Sequence, residues 1–419
     1  MRLDIPLKHP IGMSFGSVET QNTIIVRIED SDGAWGVGEV TILGGPFWGA
    51  ESAESVQAAI EVYIAPLLLG ARFDSVDQFA AHIARLVKGN AGARSALEIA
   101  MLDLCGRKND VSAAHLFGGV RRNTIPVTWT LSTGSTERDI AEGERALAEY
   151  GFRQFKLKFG IAEPEQDVAR AVAILRAFEG RASVIADVNQ AWSLDTAMRA
   201  LPVLRDAGLT AIEQPLPSDE LEGAATLQND TGFPLIADEA LVDPWAAKRI
   251  MDAEAARYLS LKPSRDGGPL ASLALAGEAL SRGLGLYGGS AMETSLGTAA
   301  SALLYGSVET LHLGTELFGP MRLVHDIVEH PLVVANGCVI LPTGPGLGIS
   351  LDNDLVTFLS ARKQSHHLAA VTAPDLTDIS VPPVNGISQA EYPGDREGLQ
   401  HCADSTALSG AQLKKGEIS

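Results

Sequence analysis

Between residues 124 and 315, short apolar runs alternate with amphipathic stretches in a regular rhythm, and this repeat restricts the fold more than any other feature. Eight of the runs read as strands: 125–132, 153–159, 183–189, 209–214, 234–238, 258–262, 284–289 and 310–314. Helical patterns such as 166–178 and 194–207 separate them, and Gly208, Pro215 and Gly283 punctuate the boundaries. Eight βα units of about 25 residues match an α/β fold of the (β/α)8 TIM-barrel type. In such a barrel the working site lies at the C-terminal ends of the strands.

The first stretch of the chain reads differently. Runs at 23–29 and 35–40 flank the turn Asp30-Ser31-Asp32-Gly33 and predict a hairpin, with helical patterns following at 52–68, 75–87 and 93–107. This describes an α+β capping domain over 1–115, ahead of a barrel over 116–316. Residues 317–362 are expected to complete the barrel or cap. The stretch 363–419, rich in Ser, Pro, Gly, Asp and Gln without apolar periodicity, reads as a disordered tail. Two domains suit 419 residues, since single cores stop growing near about 250–300.

Charge and cysteine content narrow the function. A net charge of −19 argues against nucleic acid or an anionic membrane as partner, because both need clustered Lys and Arg. No apolar run reaches the roughly 20 residues of a membrane span, and charges at Arg2, Asp4 and Lys8 leave no room for a signal peptide. Cys105, Cys338 and Cys402 are odd in number and far apart, which suits a reducing cytoplasm.

Carboxylates end three successive strands: Asp187 after Ser-Val-Ile-Ala, Glu213 after Leu-Thr-Ala-Ile, and Asp238 after Pro-Leu-Ile-Ala. A carboxylate at the tip of a buried run is costly unless its charge is compensated. Three at one height would repel one another, and a hard divalent cation such as Mn2+ or Mg2+ resolves the conflict. The bland alternative is three separate strand-end acids, each capping a helix or pairing with an arginine.

Lys156 and Lys158 lie two apart on the second strand, so both point to one face. The outer face packs on helices, which assigns them the lumen. Two such close cations, beside a metal, are expected to lower a lysine pKa toward that of a useful base. Lys262 ends the sixth strand, across the barrel mouth from the second. A substrate on the metal would then have a lysine on each side; simple snorkelling from the rim fits one lysine better than three. Glu293, after the seventh strand in Gly-Gly-Ser-Ala-Met-Glu-Thr, fits either a pocket acid or the first-turn acid of a helix. The glycine-rich stretch 344–348 lacks the setting of a dinucleotide fingerprint, and no Gly-x-Ser-x-Gly elbow is present.

Lys-x-Lys at 156–158, Asp-x-Asn at 187–189, Glu-Gln-Pro at 213–215, Asp-Glu at 238–239 and the strand-six Lys262 form a set that resembles the muconate-lactonizing subgroup of the enolase superfamily. Trp129-Thr-Leu-Ser, Phe155-Lys-Leu-Lys-Phe-Gly, Gly285-Leu-Tyr-Gly-Gly-Ser and Gly314-Thr-Glu-Leu-Phe-Gly-Pro bring the resemblance closest to the muconate cycloisomerases, over roughly residues 1–360. It implies Mn2+ or Mg2+ on Asp187, Glu213 and Asp238, with Lys158 as acid/base and Lys156 as its electrostatic partner. Lys262 would stand on the opposite face and Glu293 would be the strand-seven acid, with Asn189, Glu239 and Ser290 contacting substrate or supporting these groups. Specificity loops are expected around 16–21 and 45–48.

The implied reaction closes cis,cis-muconate, a small dicarboxylate, to muconolactone through an enediolate in catechol catabolism, in a homo-oligomer that is commonly an octamer. Sister reactions on the same frame are chloromuconate cycloisomerisation, o-succinylbenzoate synthesis and N-acyl amino acid racemisation. The Asp-x-Asp of dipeptide epimerases is absent from 288–294. A catalytically silent, metal-stabilised scaffold would need a broken acid/base set, and none is visible. Compared with the family, the chain starts ten to fifteen residues late, so the first cap strand is expected to be missing. The stretch after about 361 lies outside the resemblance.

Overall fold

The computed structural model describes residues 1–13, 16–47 and 49–361. The proposed tail, 363–419, and Trp48 therefore lie outside the described residues.

Three antiparallel strands open the chain: β1 (Arg2–Met13), β2 (Gly16–Glu29) and β3 (Trp35–Leu43), paired in that order. The hairpin between β2 and β3 is as predicted, and the Asp30 carboxylate fixes its turn by accepting from the backbone of Asp32 and Ala34. Two expectations are corrected. A strand does precede the hairpin, because Leu3, Ile5, Leu7 and Ile11 give β1 a buried face that the sheet covers. Residues 16–21 are likewise ladder rather than loop, with Gln21 opposite both Ile5 and Leu43.

The sheet lies directly on the helix Ala91–Lys108, which is buried along most of its length. Gly36 and Gly38 make this possible: a β-carbon on either would stand within 2.3 Å of the helix backbone at Ala96, Ala100 or Leu104. Ser52 and Ser75 cap the helical segments that begin at Ala53 and Val76. Among the described residues no helix is long and apolar enough to cross a membrane.

A short strand, β4 (Thr124–Pro126), leaves the barrel proper. It pairs with β13 (Cys338–Ile340), which also pairs with β12 (Val334–Ala335). The barrel strands follow: β5 (Thr128–Leu131), β6 (Gln154–Lys158), β7 (Ser183–Asp187), β8 (Ile212–Glu213), β9 (Leu235–Ala237), β10 (Tyr258–Leu261) and β11 (Gly285–Gly288). They are parallel and each pairs with the next.

The eighth strand differs from the prediction. Instead of 310–314, closure falls on Thr315, which bridges in parallel to Val127 on one side and Gly288 on the other. Gly314 takes φ +73°, so the chain turns too sharply there for a longer ladder. Inside the barrel, Ile185, Ala211, Ile236 and Tyr287 form a packed apolar plug. The polar groups at the strand tips stand above this floor.

Beyond the closure, the chain returns to the N-terminal sheet. Leu323 bridges Leu7, Asp103 accepts from the backbone of Leu347, and Arg107 donates to the carbonyl of Ile349.

A second buried acid on the Ala91–Lys108 helix carries a pH prediction. Glu98 accepts from Leu270 N at 2.6 Å, at the start of the helix Pro269–Ser281. Burial pushes its carboxyl up to about 7, against the Leu270 hydrogen bond and the charge of Arg94, which pull it down. Because the folded pKa lies above the unfolded one, this group stabilises the fold at acidic pH, and that contribution is lost as pH rises through about 7. The shift is equivalent to about 3 kcal/mol. Glu98→Gln is expected to flatten the dependence of the urea midpoint on pH between about 5 and 8. An unchanged slope would rule this group out as its source.

Candidate active site

The three carboxylates expected on strand tips stand side by side. Asp187 ends β7 and Glu213 ends β8, in direct register with each other, and Lys158 on β6 is in register with Asp187. Asp238 follows β9 by one residue. Side-chain alternation puts Lys156 and Lys158 on the lumen face, and both are almost wholly buried, as are all three acids.

Lysines and acids interlock. Lys156 Nζ lies 2.8 Å from Glu213 Oε2, 3.1 Å from Asp187 Oδ2 and 2.6 Å from Glu316 Oε1. Lys158 Nζ donates to Asp187 Oδ2 at 2.6 Å and to Asn189 Oδ1 at 2.9 Å. Asn189 passes the contact on, donating from Nδ2 to Glu239 Oε1 at 2.9 Å. Across the mouth, Lys262 Nζ and Arg265 Nη1 each lie 2.6 Å from an oxygen of Asp238.

Glu293 is drawn together with Ser290. Its carboxylate accepts from Ser290 Oγ at 2.6 Å and from Ala291 N at 3.1 Å. It precedes the cap of the helix Ser295–Ser307, so its carboxylate serves the loop rather than the helix's first turn.

The electrostatics correct one expectation. Burial alone would lower the Lys156 pKa, but Glu213, Glu316 and Asp187 outweigh it and hold the ammonium well above the ordinary lysine value. Lys262 is likewise held above its ordinary value, by Asp238, Glu213 and Glu316. The neighbouring acids, not the second lysine, set the direction. Burial raises Asp187, but Lys158 and Lys156 more than reverse it. Glu213 goes the other way: burial, Asp187, Asp238 and Glu316 push its carboxyl well above the usual range, against the pull of Lys156. Glu239 reaches about 7 through burial and the charges of Asp238 and Asp187.

Among the described residues, no three His, Cys, Asp or Glu side chains already stand as a formed metal centre. The lysine ammoniums are interposed between the acids. The donor set nevertheless fits a hard cation: Glu213 Oε1 is buried with no hydrogen-bond partner, and Glu213 is raised by both other acids. Glu239 Oε2 is orphaned in the same way.

Lys156, Lys158, Asp187, Asp238, Glu239, Lys262 and Ser290 all line one cavity of about 310 Å³. Its upper wall is apolar, from Ile42 and Leu43 of β3 together with Val242, Met292 and Phe318. The expected loop at 45–48 is represented here by Gly45. Glu213 and Glu293 are not among the residues that line it.

Sequence reasoning missed two charged residues that pair directly with the predicted lysines and acids. Glu316 follows the one-residue closure at Thr315, and nothing local marks it as a lumen acid. Arg265 reaches Asp238 because Pro263–Asp266 forms a single helical turn; its only signal is the Lys-Pro-Ser-Arg spacing after Lys262.

Gly289 fixes where Lys262 lies. A β-carbon there would stand 2.6 Å from Lys262 Cε and 2.7 Å from both Lys262 Cγ and Ser260 Oγ. These are movable side-chain atoms, so Gly289→Ala is expected to fold. It should displace Lys262 and lower kcat by about 10- to 100-fold, with Tm within about 4 °C of the parent. A parental rate in a folded variant would show that Lys262 is not needed in this position.

Comparison with known proteins agrees with this geometry. The mandelate racemase/muconate lactonizing enzyme N-terminal domain matches residues 2–118, and the enolase C-terminal domain-like family matches 138–355. Muconate cycloisomerase 1-2 of Acinetobacter lwoffii is 40% identical over 370 residues, covering 88% of this chain and 96% of that protein. The chloromuconate cycloisomerase of Pseudomonas sp. strain P51 is 37% identical, covering 84% and 95%. Among solved structures, the muconate lactonizing enzyme of Pseudomonas fluorescens complexed with muconolactone superposes with a TM-score of 0.84 at 36% identity, covering 86% of this chain and 97% of that one. Two family domains and this identity over most of the chain settle its membership: the chain is an isomerase that belongs to the muconate cycloisomerase family of the enolase superfamily.

Proposed function

We propose that this protein converts cis,cis-muconate to muconolactone in the catabolism of catechol-type aromatics. The observation that carries this reading is the pairing of Lys158 with Asp187 on one side of the cavity and Lys262 with Asp238 on the other. A flat dicarboxylate bound between them meets cationic groups from both flanks, and the apolar wall suits its diene.

Asp187, Glu213 and Asp238 would hold the divalent cation, Mn2+ or Mg2+, which supplies positive charge beside the substrate's carboxylate. The chain's own groups do the rest. One carboxylate oxygen of muconate bonds to a carbon of the far double bond, and the electron pair moves to the other carboxylate as an enediolate. Lys156 and Lys262 face that growing charge as fixed ammoniums, which lowers the transition state more than the ground state. Lys158 delivers its proton to the neighbouring carbon, completing the lactone; in reverse it is the base. Ser290 borders the far side of the substrate with its hydroxyl held by Glu293, and Asn189 and Glu239 hold Lys158 in place.

The test is loss of the diene's ultraviolet absorbance with Mn2+-loaded protein. Chelator-sensitive loss with muconolactone as product supports the reading. No loss in folded, metal-loaded protein defeats it. Chlorinated muconate is the second reading, because chloromuconate cycloisomerases match at nearly the same identity as muconate cycloisomerases. Relative kcat/KM on the two substrates separates them. N-acyl amino acid racemisation is assayed next if both fail. A cytoplasmic homo-oligomer, an octamer by family resemblance, is the expected setting; the free thiols of Cys105 and Cys338 suit the compartment.

A further inference from the structure

The loop after β11 is gripped from outside the barrel by side chains of the N-terminal sheet. Gln21 of β2 donates from Nε2 to two successive carbonyl oxygens, Ala291 at 2.6 Å and Met292 at 2.8 Å. Both targets are acceptors, so the amide can adopt only this orientation. Its Oε1 is then left buried with no partner, although Gln21 is wholly inaccessible. A buried polar group left half-satisfied in this way calls for a reason beyond packing.

The backbone that Gln21 holds is itself unusual. Met292 takes φ +62°, a left-handed conformation that a long side chain enters only under constraint. Ser290, Ala291 and Met292 line the cavity, and Glu293 comes next, folded back on Ser290 Oγ and Ala291 N. On the following turn, Glu39 of β3 accepts from Thr294 N at 2.9 Å and from Gly297 N at 2.7 Å. The loop is thus fixed at both ends by the sheet, and the strained residue lies at the Gln21 end.

We propose that Gln21 is a positioning residue for this site: its amide holds the Ala291–Met292 bend with Met292 in left-handed form, and the bend sets where Ser290, backed by Glu293, meets the substrate. Gln21 acts only through that loop. The catalytic consequence rests on the proposed cycloisomerase reading, whereas the hold on the bend does not.

Gln21→Met keeps the length of the side chain and removes both donors. It is combined with Met292→Ala and Met292→Gly, which both remove the thioether, while only glycine enters positive φ freely. The expected cost of Gln21→Met in kcat/KM for cis,cis-muconate is about 10-fold in the parent and in Met292→Ala, but no more than about 2-fold in Met292→Gly. An equal cost in all three backgrounds overturns the proposal, since that is the result of a general loss of fold. So does a cost below about 2-fold in the parent. Amide hydrogen exchange across 290–294 in the resting protein is the independent readout. Gln21→Met should speed it by about 10-fold or more while the helix Ala91–Lys108 is unchanged, and unchanged exchange also overturns the proposal. Should the parent fail to consume muconate, the functional reading falls, and the exchange result alone still decides the hold on the bend.

Discussion

Lys158→Ala is expected to lower turnover of cis,cis-muconate by at least about 10³-fold, within the range measured for positioned acid/base groups. The ammonium it removes lies in the cavity against Asp187 and Asn189, on the strand whose tip is in register with Asp187. The fold should survive, because Lys156 still stands 3.1 Å from the same Asp187 oxygen. Lys158→Arg sharpens the test. It keeps a cation on Asp187 but holds its proton too tightly to exchange it, so it should be nearly as inactive as alanine. Diene absorbance gives the rate, and circular dichroism with a metal titration checks fold and binding. If arginine restores turnover to within about 10-fold of the parent, Lys158 acts through charge alone and the proton must come from elsewhere.

The part of this site that was legible in the sequence is the part governed by local rules. Asp187 and Glu213 each follow an apolar run, and two-residue alternation puts Lys156 and Lys158 on one face; both rules hold in the barrel. The sequence of runs also predicted the barrel strands through Gly288, except that the first run, 125–132, is divided between β4, in a separate sheet, and the barrel strand β5. Where the reading went astray, the cause was non-local or the element was too small to leave a pattern. The eighth strand is a single bridging residue beside a positive-φ glycine, so Glu316 could not be placed by strand parity. The first cap strand was expected to be missing because the chain starts late relative to the family, yet β1 is present with a buried apolar face, and its ladder shifts register between Pro6 and Ile11. The lysines were expected to weaken each other's charge, a reasonable inference when only the cations on one strand are counted. At Lys156 the acids that outweigh it arrive from β7, β8 and the closure at Thr315. Gln21 and Ala291 are 270 residues apart, and no spacing rule connects them.

Glu213→Gln should move stability and metal binding in opposite directions. Glu213 is wholly buried; one carboxylate oxygen receives Lys156 at 2.8 Å and the other has no partner. Burial, together with Asp187, Asp238 and Glu316, disfavours its charge, and Lys156 is the counterweight. Glutamine keeps the shape and can keep the acceptor for Lys156, while removing one of several crowded negative charges. In metal-free protein the variant should therefore melt at the parental temperature or a few degrees above it, since Lys156 keeps Asp187 and Glu316 as partners and is not left as an unpaired buried charge. With Mn2+ or Mg2+ the order reverses. A bound ion at about 100 times its Kd stabilises the parent by roughly 2.7 kcal/mol, and the variant should lose this shift along with turnover. Thermal melts with metal and with chelator separate the two effects. A metal-induced shift retained in the variant would remove Glu213 from the ligand set. A lower melting temperature without metal would mean that the Lys156–Glu213 pair is a net stabiliser, so that crowding of the acids is not what the cation relieves.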